Sequence, residues 1–298
     1  MATIDPTRPL IATGNLRRRR VLDRVARGGA MAAAVLAVAV LLVVIATVLI
    51  KGSSQISFDF LTENPQKIDG TVGGGIANAI IGSALLIAVA TAMALPIGVM
   101  IAVFLTEFSG AGRLARPIRL ALDLLNGMPT IVIGLFVFGL LEEGGVQTGF
   151  AGSFALAIIM VPLISRTTGE MLQLVPRELR DASHALGVSR WRTTIGIVLP
   201  AALGGILTGT VLAIARAAGE TAPLLLTCSL FNSNATTINV FGAAVPNIPM
   251  LIFTDYDSPY PIDHARAWGA ALVLMAFILV GNLTARATLA RQRRMIPR

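Results

Sequence analysis

The sequence predicts an all-α integral membrane protein with six transmembrane helices, on three observations. Of 298 residues, 55% are hydrophobic and 13% charged, whereas a soluble domain carries roughly 25% charged residues. The apolar residues gather in runs of about twenty, the length that crosses a hydrocarbon core about 30 Å thick. No polar stretch between the runs is long enough to bury a core of its own. The chain reads as one membrane domain over 28–290, between a basic tail at 1–27 and another at 291–298.

The first span, 28–50, exceeds the roughly 7–15 apolar residues of a cleaved signal and reads as a retained helix. The second covers 76–104, the third 119–141 and the fourth 150–173, with Pro96, Pro129 and Pro162 inside them. Proline is tolerated in bilayers where neighbours re-satisfy the freed backbone groups, and each of the three predicts a kink. The fifth span covers 201–228 and the sixth 267–289. The tail at 1–27 holds Arg17 to Arg20, Arg24 and Arg27. It is expected to be a mobile tail or a surface helix against anionic lipid.

Charge sets the orientation. Twenty arginines fall in the tails, the 113–119 loop and the 166–192 segment, against three outer cations, Lys51, Lys67 and Arg266. Arg216 lies within a span. The positive-inside rule then puts both termini and the 177–200 segment in the cytoplasm. Asp59, Glu63, Asp69, Glu142, Glu143, Asp255, Asp257 and Asp263 lie on the outer side. The longest outer loop, about 229–266, contains IPMLIFTDYDSPYPID. It reads either as a folded lid or docking element, or as a solvated connector.

This asymmetry accounts for the net charge of +8, so no nucleic-acid partner is expected. The single Cys228 excludes an intrachain disulfide and a Cys-rich metal site, and reads as a small apolar filler. His184 and His264 lack the spacing to acidic residues that a metal needs, so neither metal nor cofactor is expected in this chain.

One polar run stands between apolar segments: DASHALGVSRWRTTIGIVLP, Asp181 to Pro200. Arg177 to Leu186 are good helix formers. Gly187 permits the left-handed turn that ends a helix, and Ser189 is placed to cap the next one. Trp191 and Arg192 lead into the fifth span, with Pro200 at the junction. The expected shape is a short helix along the membrane, a sharp turn and re-entry. It suits a docking partner or, more plainly, an amphipathic loop held by headgroups. Lys51 and Lys67 are the only lysines, and neither stands in G-x-x-x-x-G-K-[ST]. Without that phosphate loop, ATP energy has to arrive from another polypeptide, and no catalytic activity is expected of this chain alone.

Arg216 and Glu220 interrupt the fifth span, and an ionisable residue there is costly. At about 100° per residue, Gly205, Gly209, Ala213, Arg216 and Glu220 fall within a stripe about 80° wide. A Gly-x-x-x-Gly surface allows close helix approach, so the pair is expected to face protein or a polar pathway. Either Arg216 attracts an anion that Glu220 tunes, or the pair is a salt bridge holding two helices. Asn126 and Thr130 flank Pro129 and line a polar path or pack a kink; Glu107 and Asp123 read as interface or capping residues.

The anchors Asp181, Ala182, Ser183, Gly187, Ile197, Leu199 and Pro200 resemble the coupling motif of ABC importer permeases. Asp181 replaces the usual Glu and Ser183 the second Ala. ARAAGETAPL resembles the fifth-span signature of phosphate-specific ABC permeases of the A type. So do MPTIVIGLF, SRTTGEMLQLVPRELRDASHALG and the outer IPMLIF…DYDSPYP…AWGAALVL run, over about 73–284. The resemblance implies a type I ABC importer permease fold in a bacterial plasma (inner) membrane. It implies a homologous C-type permease, two ATPase subunits that hold ATP and Mg, and an extracytoplasmic binding protein that delivers inorganic phosphate. It also implies that Arg216, Glu220 and Arg166 lie on the substrate pathway, although Arg166 alone also reads as a positive-inside anchor. The coupling motif serves a permease for another oxyanion or small solute equally well. A self-contained secondary transporter is the reading from a different class. An intramembrane enzyme is disfavoured, because the spans show no metal cluster and no nucleophile–base pair.

Overall fold

A computed structural model describes residues 16–65, 74–109, 112–141, 146–229 and 236–295. The outer residues Lys67, Asp69, Glu142 and Glu143, and the tail residues up to Asn15, lie outside them. Among the described residues the chain is helical, with one isolated bridge between Pro65 and Gly74. It divides into two compact units, residues 1–50 and 51–298.

The first unit holds most of α1, Leu16–Gly52. The part of the basic tail from Leu16 to Arg27 is therefore helical and continuous with the first span.

The second unit holds α2 (Phe58–Thr62), α3 (Ala77–Val103), α4 (Ala115–Gly127), α5 (Thr130–Leu141) and α6 (Gly149–Gln173). Then come α7 (Arg177–Ala185), α8 (Arg190–Thr193), α9 (Leu199–Ala218), α10 (Ala222–Thr227), α11 (Ile248–Tyr256) and α12 (Pro261–Met295). With α1, five helical stretches among the described residues are long and apolar enough to cross a membrane, and six if α4 and α5 make one broken span. α3 and α6 run on through Pro96 and Pro162.

Two expected spans are broken in the structure. The third is not a kinked helix: α4 and α5 meet at 105°. Pro129 cannot continue the hydrogen-bond ladder and drives the residue before it out of the helical region; Met128 accordingly stands extended at ψ 136°. The fifth is also broken, at Gly219 to Thr221 between α9 and α10. The sixth exceeds its expected bounds at both ends.

The centre is α3 against α6. Ala90, Ala94, Leu86, Leu156, Met160 and Ile164 are buried there. Between membrane helices, small residues let backbones approach and dispersion contacts do the holding. Gly205 and Gly209 of α9 do the same against α6, where an added Cβ would meet Met171 and Thr167.

The described part of the outer connection, 236–266, is folded and not a solvated strand of chain. Asn247 caps α11 through Met250 N–H and donates to the carbonyls of Cys228 and Val245. Ile248 N–H donates to Ser83 Oγ at 2.8 Å. Cys228 Sγ is not merely filler: it accepts from Val245 N–H and donates to Val245 O. Irregular backbone at membrane depth survives only with its polar groups satisfied in this way. Arg266 closes this end, donating to both oxygens of Asp255 at 2.6 and 2.9 Å and to Asp263 at 2.9 Å.

The inserted connection leaves no room at Gly82, where a Cβ would lie 1.9 Å from Pro246 O. Gly82→Val is expected to cost about 3 kcal/mol or more through overpacking, read as a lower melting temperature in detergent. Gly139→Ala, with nothing within 4 Å of the added Cβ, should leave the melting temperature unchanged.

Candidate functional site

α7 is nine residues long, too short to persist alone in water. Its fixed shape has three sources. Its last turn ends on Gly187 at φ +76°. There Gly187 N–H donates to His184 O and Val188 N–H to Ser183 O, the paired bonds of a Schellman turn. Ser183 is buried, its Oγ 2.8 Å from Thr193 Oγ1 of α8. A bulky residue at 183 would separate the two short helices.

The third source is Arg180. Its Nε and Nη2 bind the two carboxylate oxygens of Glu107 at 3.2 and 2.8 Å. Nη1 and Nη2 also donate to Val175 O, in the connection that leads to α7, and to Leu172 O, in the last turn of α6, at 2.6 and 2.8 Å. The side chains are 19% and 9% exposed. One guanidinium thus joins α7, the end of α6 and the π turn Phe104–Phe108 that follows α3.

The motif residues divide by exposure. Asp181, Ala182 and Gly187 are exposed, as is Leu186 at the turn, whereas Ser183 is buried. This is an exposed edge with a buried anchor. Ser189 precedes α8 but makes no side-chain cap. Ile197 lies in a π turn, Thr194–Val198, that hands over to Leu199 and Pro200 at the start of α9. Proline's missing N–H removes the next ladder bond at that point. Trp191 leans on Phe108 at 5.7 Å, and Arg190 sits over the same ring. α8 is therefore braced against the π turn Phe104–Phe108.

Arg216 and Glu220 do pair, Nε to Oε1 at 3.5 Å, with side chains 46% and 18% exposed. They do not share a helix: α9 ends at Ala218, and Glu220 stands in the break. Arg166 pairs with Glu170 at 3.1 Å on α6, both exposed. The pairs are separate. Gly209 faces Thr167, so Arg216 lies about 10 Å further along the axis than Arg166, at ~1.5 Å per residue. Arg166 and Asn126 line one cavity of about 360 Å³. Among the described residues no cluster of His, Cys, Asp and Glu is arranged to hold a metal.

Sequence reasoning missed the pairing of Arg180 with Glu107 and that of Ser183 with Thr193. Glu107 and Arg180 are 73 positions apart, and nothing in periodicity joins them. The one available signal was an acidic residue at the end of an apolar span.

The family described as binding-protein-dependent transport system inner membrane component matches residues 94–294. The phosphate transport system permease protein PstA 1 of Mycobacterium tuberculosis H37Rv is 41% identical over 75% of this chain and 73% of its own. The phosphate transport system permease protein PstA of Yersinia pestis is 39% identical over 92% of each chain. A bacterial alginate ABC transporter, solved with an alginate-bound periplasmic protein, superposes at TM-score 0.61 with 14% identity, covering 91% of this chain and 98% of that one. The inward-facing MetNI methionine ABC transporter superposes at 0.55 with 15% identity, covering 74% and 97%. The fold is that of type I ABC importer permeases.

Arg180→Met leaves Glu107 buried without a partner and is expected to cost about 3–5 kcal/mol. Adding Glu107→Leu should recover most of the loss. Thermal unfolding of the four proteins of this double-mutant cycle checks both.

Proposed function

Because this chain belongs to the binding-protein-dependent transport system inner membrane components, we propose that it is the A-type permease subunit of an ATP-driven phosphate importer. The identity to phosphate permeases along most of both chains carries this reading. In it, a homologous C-type permease supplies the other half of the pathway. Two ATPase subunits with ATP and Mg dock below, and an extracytoplasmic binding protein delivers phosphate above. In this reading both termini and α7 face the cytoplasm, the side that the arginine asymmetry favours.

The exposed edge of Asp181, Ala182 and Gly187 is the contact with the ATPase. Closure of the nucleotide-binding dimer moves α7. The Arg180 clamp and the Ser183–Thr193 contact pass that motion to α3, α6 and α9. Arg216 offers a guanidinium, always charged and suited to oxyanion geometry, at the break where α9 ends. Glu220 holds it when phosphate is absent, and the anion competes for the same donors. Arg166 occupies the arginine-rich end of the same route.

Arg216→Gln is expected to abolish phosphate uptake in cells while the assembled complex is recovered in normal amount. Normal uptake by that variant would remove Arg216 from the pathway. Deleting Asp181 to Gly187 should detach or uncouple the ATPase, measured by co-purification and by uptake per ATP hydrolysed.

A further inference from the structure

A second feature on the same route has a chemistry of its own. The cavity of about 360 Å³ between α4 and α6 is lined by Arg119, Asp123, Asn126, Ser165, Arg166 and Glu170. Arg166 is held by Glu170. Arg119 and Asp123 stand one helical turn apart on α4 with no ion pair between them among the described residues. Ser165 is buried and its Oγ has no hydrogen-bond partner, although the neighbouring Thr167 hydroxyl bonds back to its own helix. The Ser165 oxygen is closed to solvent, as are those of Thr91, Ser153 and Thr168, so the chemistry of the cavity is set by its charged and amide groups.

Two guanidiniums and the amides of Asn126 and Gln173 offer donors, and two carboxylates offer acceptors. Bare tetrahedral anions such as sulfate have only acceptors at neutral pH, and the carboxylates repel them. Inorganic phosphate still carries a P–OH at that pH and satisfies both kinds of group. With two positive and two negative side chains the lining is balanced, so the anion is held weakly. A station on a transport route has to bind well enough to be entered and weakly enough to be left.

We propose that this cavity is a second phosphate station, about 10 Å along the axis from Arg216, in which Asp123 and Glu170 select an oxyanion that retains a proton. This rests on the phosphate reading above. The selectivity sits at the arginine-rich end, after the Arg216 step.

The test uses the complete complex in phosphatidylcholine vesicles, with ATP inside and the binding protein and labelled phosphate outside. Phosphate loaded inside should slow uptake, and sulfate loaded inside should not. Asp123→Asn should let internal sulfate slow uptake as well. Arg119→Gln should raise the half-inhibiting phosphate concentration about tenfold, the loss of one charge-assisted hydrogen bond. Both substitutions leave the ATPase sites untouched, so product inhibition there would not shift. Sulfate acting like phosphate on the unmodified complex, or variants matching it, overturns the station.

Binding is read separately by phosphorus NMR line broadening of inorganic phosphate on the purified complex. Broadening that Arg119→Gln removes supports the station even in a complex that transports nothing, a result that would sink the transport reading alone. Absence of broadening, or its loss when phosphatidylglycerol replaces part of the phosphatidylcholine, overturns the proposal; the second result would assign the cavity to a lipid headgroup.

Discussion

The buried pair of Glu107 and Arg180 is the interaction on which the arginine-rich end of this molecule depends. Taking both charges out of water is costly, and Coulomb attraction repays that only with good geometry and additional hydrogen bonds. Both conditions are met here, by a bidentate contact and by the carbonyls of Leu172 and Val175. The pair does not simply add stability. It makes the position of α7, which has little core of its own, a function of α3 and α6. A force on the exposed edge of α7 therefore meets a fixed lever.

The lever reaches the other end through close packing. α9 rests on α6 through Gly205 and Gly209, where side chains from α6 fill the space a Cβ would take. Helices in such contact shift as bodies because their interfaces cannot deform continuously. The two breaks, at Pro129 and at Gly219 to Thr221, fall where that body adjoins polar groups. Broken helices at membrane depth are expected where the backbone is buried in protein or lines a cavity. Arg216 at one break, and Arg119 and Asn126 before the other, fit that pattern.

Much of this was legible in the residues. Span existence follows from run length, since a bilayer demands about twenty apolar residues. The turn at Gly187 was legible because few other residues adopt its φ without strain. Pro129 signalled irregularity but not a right-angle break, which depends on what α4 and α5 pack against. Glu220 looked helical by spacing, whereas Gly219 ends the helix one residue earlier. The outer connection left two readings open in the sequence; Asn247, Ser83 and Cys228 decide between them only in three dimensions. The partner of Arg180 lies at a distance along the chain that no local pattern encodes.

Flux through the assembled complex tests the central claim most directly: that ATP hydrolysed by another polypeptide drives phosphate through this fold by way of α7. The measurement is accumulation of labelled phosphate in vesicles holding this chain with its sister permease and ATPase, supplied with binding protein, with and without internal ATP. The account predicts accumulation against a gradient only when ATP and binding protein are both present. Flux that follows the phosphate or proton gradient without ATP, or ATP-driven accumulation of another solute that leaves phosphate behind, would contradict it.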